Sequence, residues 1–272
     1  MTKRILVIVT ISLMLGVVSS AQQAAAIKRD LSPADVDRIV KKFVDNEREF
    51  RDALTEYVFN RNATVQIIGL GGQATGTFRR DSFMMLNPDG SRFEKVLFAP
   101  VATTPPGFVT PEDLEDLGGV NPFALEPSAI PNYNFSYVGV EKVDDFDLYV
   151  FDVTPKVIPN PKKSKLRLFT GRVWVDTESL MILRTKGKAV PETDDNKFPI
   201  VETTRDQVDG KYWFPIDARS DDELVFKNGN VIRIRMRVKF ANYRKGYSDV
   251  KILDDDDPKA QPSPTPTPAQ KP

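Results

Sequence analysis

Histidine and cysteine are both absent from the 272 residues. Their absence excludes Ser-His-Asp and Cys-His nucleophilic catalysis, thiol redox chemistry, disulfides, and zinc held by imidazole or thiolate. A metal would have to be held by oxygen alone, as Ca²⁺ and Mg²⁺ are. Net charge is missing too. Lys+Arg and Asp+Glu are both 38, so no global field draws the chain to nucleic acid. Carboxylate, Lys and Tyr chemistry stays open, and nothing in the chain calls for a cofactor.

What is present is alternation. Residues 232–240 read Ile-Arg-Ile-Arg-Met-Arg-Val-Lys-Phe. On a strand this puts Ile232, Ile234, Met236, Val238 and Phe240 on one face and Arg233, Arg235, Arg237 and Lys239 on the other. Such a strand belongs to an antiparallel sheet with one apolar and one wet side.

The N-terminus has a different logic. Lys3 and Arg4 precede an uncharged apolar stretch over 5–18, and Ser19-Ser20-Ala21 supplies the small-residue pattern of a signal-peptidase site. The stretch is shorter than the ~20 residues of a spanning helix. Residues 1–21 are therefore expected to be a signal peptide, with Ala26 as a second cleavage position. The mature chain is expected to be a soluble periplasmic protein, and without Cys it carries no lipid anchor. No other stretch is long and apolar enough to span a bilayer.

Ser32-Pro33-Ala34-Asp35 predicts a helix start, with Ser32 as cap and Pro33 in the first position. Val36, Ile39, Val40, Phe43, Phe50 and Leu54 continue it as an apolar stripe. Beyond it the period falls to two. Strands are predicted over 57–68, 75–86, 92–98, 134–143, 148–154, 166–175, 181–189, 200–208, 212–218, 223–227 and 231–243. Asn87-Pro88-Asp89-Gly90 joins the second to the third, and Asn228-Gly229 is the strongest hairpin signal. Strand follows strand without intervening helices, which predicts an antiparallel meander.

Residues 100–131 break the pattern with seven prolines. Thr110-Pro111-Glu112-Asp113 and Asn121-Pro122 predict two short helices, bearing Leu114 and Leu117, then Phe123 and Leu125. A long ordered insertion of this kind is often a lid. From Asp254 the chain is an acidic, Pro-rich tail, expected to be disordered over 254–272. One α+β domain is thus expected over 27–253: a strongly curved antiparallel β-sheet, with an N-terminal helix and a short-helix insertion covering its apolar face.

This layout, with Gly171-Arg172-Val173-Trp174-Val175-Asp176, Leu180-Met181-Ile182-Leu183-Arg184 and Gly210-Lys211-Tyr212-Trp213-Phe214-Pro215, resembles the LolA/LolB-like superfamily, and within it the outer membrane lipoprotein-sorting proteins. The resemblance implies an open half-barrel whose concave apolar face holds acyl chains under a lid. It also implies a non-enzymatic carrier whose partner is a lipid or a lipidated protein. Arg80, in Gly76-Thr77-Phe78-Arg79-Arg80, falls where such carriers hold the lid.

Phe83, Met85, Phe169, Trp174 and Phe240 are the candidates for a hydrophobic cavity, and Leu114, Leu117, Phe123 and Leu125 for its lid. The first set suits a lipid pocket and a packed core equally. Phe169 and Trp174 differ in parity, so both face inward only if the strand bulges, with Gly171 the expected place. The Arg233–Lys239 stripe reads as a solvated face crossed by acids from neighbouring strands. Asp254–Asp257 lacks the ligand spacing of a calcium loop. Asp144, Asp145 and Asp147, or Asp194 with Asp195, are turn acids that could furnish the pair of a carboxylate-based hydrolase, but such acids nearly always face solvent. The alternative to a carrier is a cell-envelope interaction or sensor module with a filled core.

Overall fold

A computed structural model describes residues 30–86, 92–110, 113, 130–164 and 166–246. The expected signal peptide, the turn at 87–90, the four lid candidates Leu114, Leu117, Phe123 and Leu125, and the expected tail over 254–272 lie outside the described residues.

Among the described residues one α-helix, α1 (Pro33–Leu54), precedes ten strands. These are β1 (Tyr57–Ile68), β2 (Ala74–Leu86), β3 (Arg92–Phe98), β4 (Tyr133–Val143), β5 (Phe146–Pro155), β6 (Leu168–Asp176), β7 (Ile182–Val190), β8 (Val201–Gln207), β9 (Trp213–Val225) and β10 (Val231–Lys245). They form a single antiparallel sheet in the order β3-β2-β1-β10-β9-β8-β7-β6-β5-β4. The sheet does not close, so it is an open half-barrel with β3 and β4 at its edges. Joining β1 to β10 puts the two ends of the meander side by side in its middle. The one long connection, from β3 to β4, therefore has to pass from one edge to the other. That is why the Pro-rich segment is long.

The helix begins as its sequence dictates: the Ser32 hydroxyl accepts from the Asp35 N–H, with Pro at the first turn. Its apolar stripe lies across one face of the sheet and divides between two clusters. Ile39, Val40, Phe43 and Val44 pack with Phe151, Val153, Phe169, Val173 and Ile182, on β5 to β7. Phe50 and Leu54 pack with Phe59, Val65, Phe214, Val238 and Phe240, on β1, β9 and β10. Between them Glu47 and Arg205 of β8 make two hydrogen bonds, at 2.5 and 2.9 Å, with side-chain exposures of only 3% and 8%. The Arg205 guanidinium also lies over the Phe50 ring. Asn46 donates to the carbonyls of Ser179 and Leu180, tying the helix to the β6–β7 turn.

Two expectations are corrected here. The segments 212–218 and 223–227 are one strand, β9, because the polar stretch between them pairs fully with β10: Arg219 lies opposite Arg237, Ser220 opposite Met236 and Asp221 opposite Arg235. The stretch reads as a turn because it is polar on both faces, with Arg219 and Asp221 outward and Ser220 and Asp222 inward. Those charges are used across the strands, where Arg233 meets Glu223, Arg235 meets Asp221 and Arg237 meets Asp217. The cationic stripe is thus neutralised by its neighbour, as the solvated-face reading requires. Second, there is no bulge at Gly171, which stands in register with Val153 and Gly187. Phe169 keeps the helix-bearing face and Trp174 takes the other.

Candidate functional site

Where α1 ends, the same face of the sheet is covered by loops instead. Val65 of β1, Leu224 of β9 and Ile232, Ile234 and Met236 of β10 form an apolar floor, extended by Phe226, Ala189 and Val201. Two segments roof it, residues 105–110 from the long connection and 195–199 from the β7–β8 loop. Between floor and roof is a cavity of about 500 Å³, inside the range of about 300–1,000 Å³ usual for small-molecule sites. The hollow follows from the roof's sequence. Pro105-Pro106-Gly107 can present no helical stripe, and only Phe108 and Val109 reach down to the core. Gly107 has φ +75, a left-handed conformation that glycine adopts without steric cost.

The roof is fastened at its polar edge. Thr110 and Asp113 exchange the reciprocal hydrogen bonds of a helix start, 3.0 and 3.1 Å, which agrees with the start expected there. Asp113 in turn meets Arg167 at 3.4 Å, and the Arg167 guanidinium lies 4.6 Å over the Phe198 ring. One cation thus touches both roofing segments. Glu192 accepts from the Phe198 N–H and pairs with Lys188, holding the second segment. The rim therefore carries Arg167, Lys188 and Lys197 beside Asp113 and Asp195, above a floor with no charged side chain.

A second polar group sits on the same face toward the β3 edge. Arg61 and Arg80 both hold Glu94, Arg80 through two hydrogen bonds of 2.9 and 3.1 Å, and Ser82 donates to it at 2.5 Å. Burial alone would raise the Glu94 carboxyl, but the bonds from Arg80 and Ser82 and the charge of Arg61 hold it below the usual range. Among the described residues Arg80, through Glu94, grips the edge strand β3.

The five cavity candidates fall as follows. Phe169 is 1% exposed in the filled core under α1, its ring lying across Gly171 and Gly187, where a Cβ would come within 2.9 and 2.4 Å. Phe240 is buried in the core beside Phe59. Neither lines the cavity. Trp174 is corrected to the opposite face, where it packs with Leu148, Val150 and Leu183, donates its indole N–H to Glu141 at 2.8 Å and lies under Arg184. Phe83 and Met85 also take that face, since each stands one residue from the inward Met84, and Phe83 lies under Arg244. The physical reason is the period of two, by which a one-residue difference reverses the facing. The acids Asp144, Asp145, Asp147, Asp194 and Asp195 are all exposed.

The walls that do form the cavity were half visible. Ile232, Ile234 and Met236 belong to the alternating run, and their apolar face was legible, though only Phe240 was singled out from it. Phe108, Val109 and Phe198 carry no periodic signal. A large aromatic inside a Pro-rich loop was the available clue.

No family model and no curated protein matches the chain. Among solved structures it is similar to a LolA superfamily protein from Nitrosomonas europaea, at 11% identity and a TM-score of 0.35, covering 80% of this chain and 98% of that one. It is also similar to a putative outer membrane lipoprotein-sorting protein domain from Vibrio parahaemolyticus, at 14% identity and 0.36, covering 80% and 96%. A DUF1329 family protein from Desulfovibrio piger shows 14% identity and 0.30, covering 78% and 95%. These are likenesses of fold at low identity.

Proposed function

We propose that the protein is a non-enzymatic binding protein for lipid or for the acyl chains of a lipoprotein, exported to the periplasm by its N-terminal segment. The observation that carries this reading is the cavity of about 500 Å³ with an uncharged floor and a polar rim. Apolar chains leave water for such a floor at roughly 0.8 kcal/mol per buried CH₂, while the head stays at the rim. The loops that roof the floor are the parts that would move to admit a chain.

The test is binding of a fluorescent fatty acid to the full chain and to Ile232→Asp. The parent is expected to bind, and the variant to lose binding while its unfolding midpoint falls little more than that of Ile232→Ala, because a charge facing a hollow that admits water costs little. A parent that binds neither the probe nor any lipid from envelope extract, seen by native mass spectrometry, would overturn the proposal. That outcome would favour an envelope interaction module, a reading supported by the close packing of most of the same face under α1.

A further inference from the structure

Seven consecutive apolar residues, Val96-Leu97-Phe98-Ala99-Pro100-Val101-Ala102, are all exposed. Leu97 is 55%, Phe98 50% and Val101 92% accessible. A run of this length on a surface is costly for solubility and is normally kept for a partner. It is also held in place. Phe98 pairs with Asp81 of β2, and five residues later Thr103 returns to β2, its N–H donating to the Thr77 carbonyl and its hydroxyl accepting from the Thr77 N–H, both at 2.9 Å. The segment between is an apolar elbow pinned at both ends to one strand.

We infer that this elbow is a docking surface for an anionic lipid bilayer. Charge is the first support. Lys95 is exposed on the strand that feeds the elbow, and Arg79, itself exposed and paired with Asp81, lies over the Phe98 ring. Arg244 is exposed on the same outer face, over Phe83. Lys95 and Arg79, against Asp81, lie beside the apolar run, with Arg244 farther along the same face, the pattern that seats an amphipathic element among anionic headgroups. Position is the second. The chain leaving the elbow becomes the cavity roof at Pro105 within three residues of Ala102, so a docked elbow sets the roof beside the membrane.

The geometry disfavours a protein strand as the occupant. β3 is an edge strand, but the register with β2 shifts between Asp81 and Ser82, which leaves Leu97 unpaired as a bulge. A bulge twists an edge away from further pairing, and Lys95 guards the regular part that remains. The apolar side chains meanwhile project beyond that regular part. No helix among the described residues is long and apolar enough to cross a bilayer, so the association is peripheral.

The inference stands on the elbow and does not depend on what fills the cavity. The full chain is sedimented with vesicles of phosphatidylcholine alone and with vesicles of equal parts phosphatidylcholine and phosphatidylglycerol. Binding is expected to the second and to be weaker to the first. Val101→Asp, at a site too exposed to affect folding, and Leu97→Asp are each expected to lower the partition coefficient about tenfold or more. Both should keep parental uptake of a fluorescent fatty acid. A parent that ignores both vesicles, or variants that bind as the parent does, would overturn it. So would self-association of the parent that Val101→Asp abolishes in the absence of vesicle binding, which would assign the elbow to a second copy. Loss of fatty-acid binding in the parent with vesicle binding intact would count against the cavity reading alone.

Discussion

The two halves of the sheet's covered face are built from similar residues and end differently. Under α1, Phe43, Phe151, Phe169 and Phe214 are each 1% exposed or less. Around the cavity, Phe226 and Ile232 of the floor and Phe108 and Val109 of the roof are only partly buried, and a volume of about 500 Å³ remains. The difference lies in the cover. A helix presents a stripe whose spacing interlocks with strand side chains, so it fills the space beneath it to ordinary interior density. A segment rich in proline spans the same strands without a repeating face. What the half-barrel stores in stability at one end it leaves as capacity at the other.

The sharpest way to break the contrast is to cut both halves equally. Phe43→Ala should cost about 3–5 kcal/mol in denaturant unfolding, because its site is closed on all sides. Glu47→Ala should cost a comparable 3–5 kcal/mol, since it strands the Arg205 guanidinium in the core. If Arg205 instead finds water there, the loss will be small and the filled half is looser than described. At the other end, Ile232→Ala should cost only about 1 kcal/mol, as its side chain already borders space. A cost equal to that of Phe43→Ala would mean the cavity is packed in solution.

Acid should weaken the β3 edge. Glu94 has its pKa lowered in the folded chain by Arg80, Ser82 and Arg61 acting against burial. A lowered carboxylate contributes stability that is fully present above its ordinary value of 4.5 and is lost as pH falls through its lower folded value. Asp209, lowered against burial by the Tyr57 hydroxyl and three backbone N–H groups, acts in the same direction. Glu94→Gln should therefore flatten the acid limb of a stability-against-pH curve, and an unchanged limb would remove the cluster from the account. The smallest effect belongs to the outer face. Arg235→Ala breaks an exposed pair with Asp221 and should change stability by about 0.5 kcal/mol or less.

Much of the fold was legible before any coordinates, and specific residues show why. Ser32-Pro33 announced the helix, and β1 and β3 begin and end where alternation places them. The Asn228-Gly229 turn closes as expected, with the Gly229 N–H bonded to the Phe226 carbonyl. The site was far less legible. Trp174, the largest side chain in its strand, drew the eye inward, yet its neighbours Val173 and Val175 hold the covered face. Both parities of β6 are buried there, so size and apolarity could not say which one meets the helix. Likewise the continuity of β9 depended on ion pairs to a partner strand, which local composition does not contain.

Sequence alone determined the local periods, the cap and the hairpin turn, because each depends on residues within a few positions of one another. Tertiary structure decided where the hollow lies. Its floor comes from β1, β9 and β10, and its roof from two loops separated by more than eighty residues, brought together only when β1 closes on β10. No periodicity in the chain records that meeting, since loop-covered and helix-covered stretches of one strand obey the same alternation.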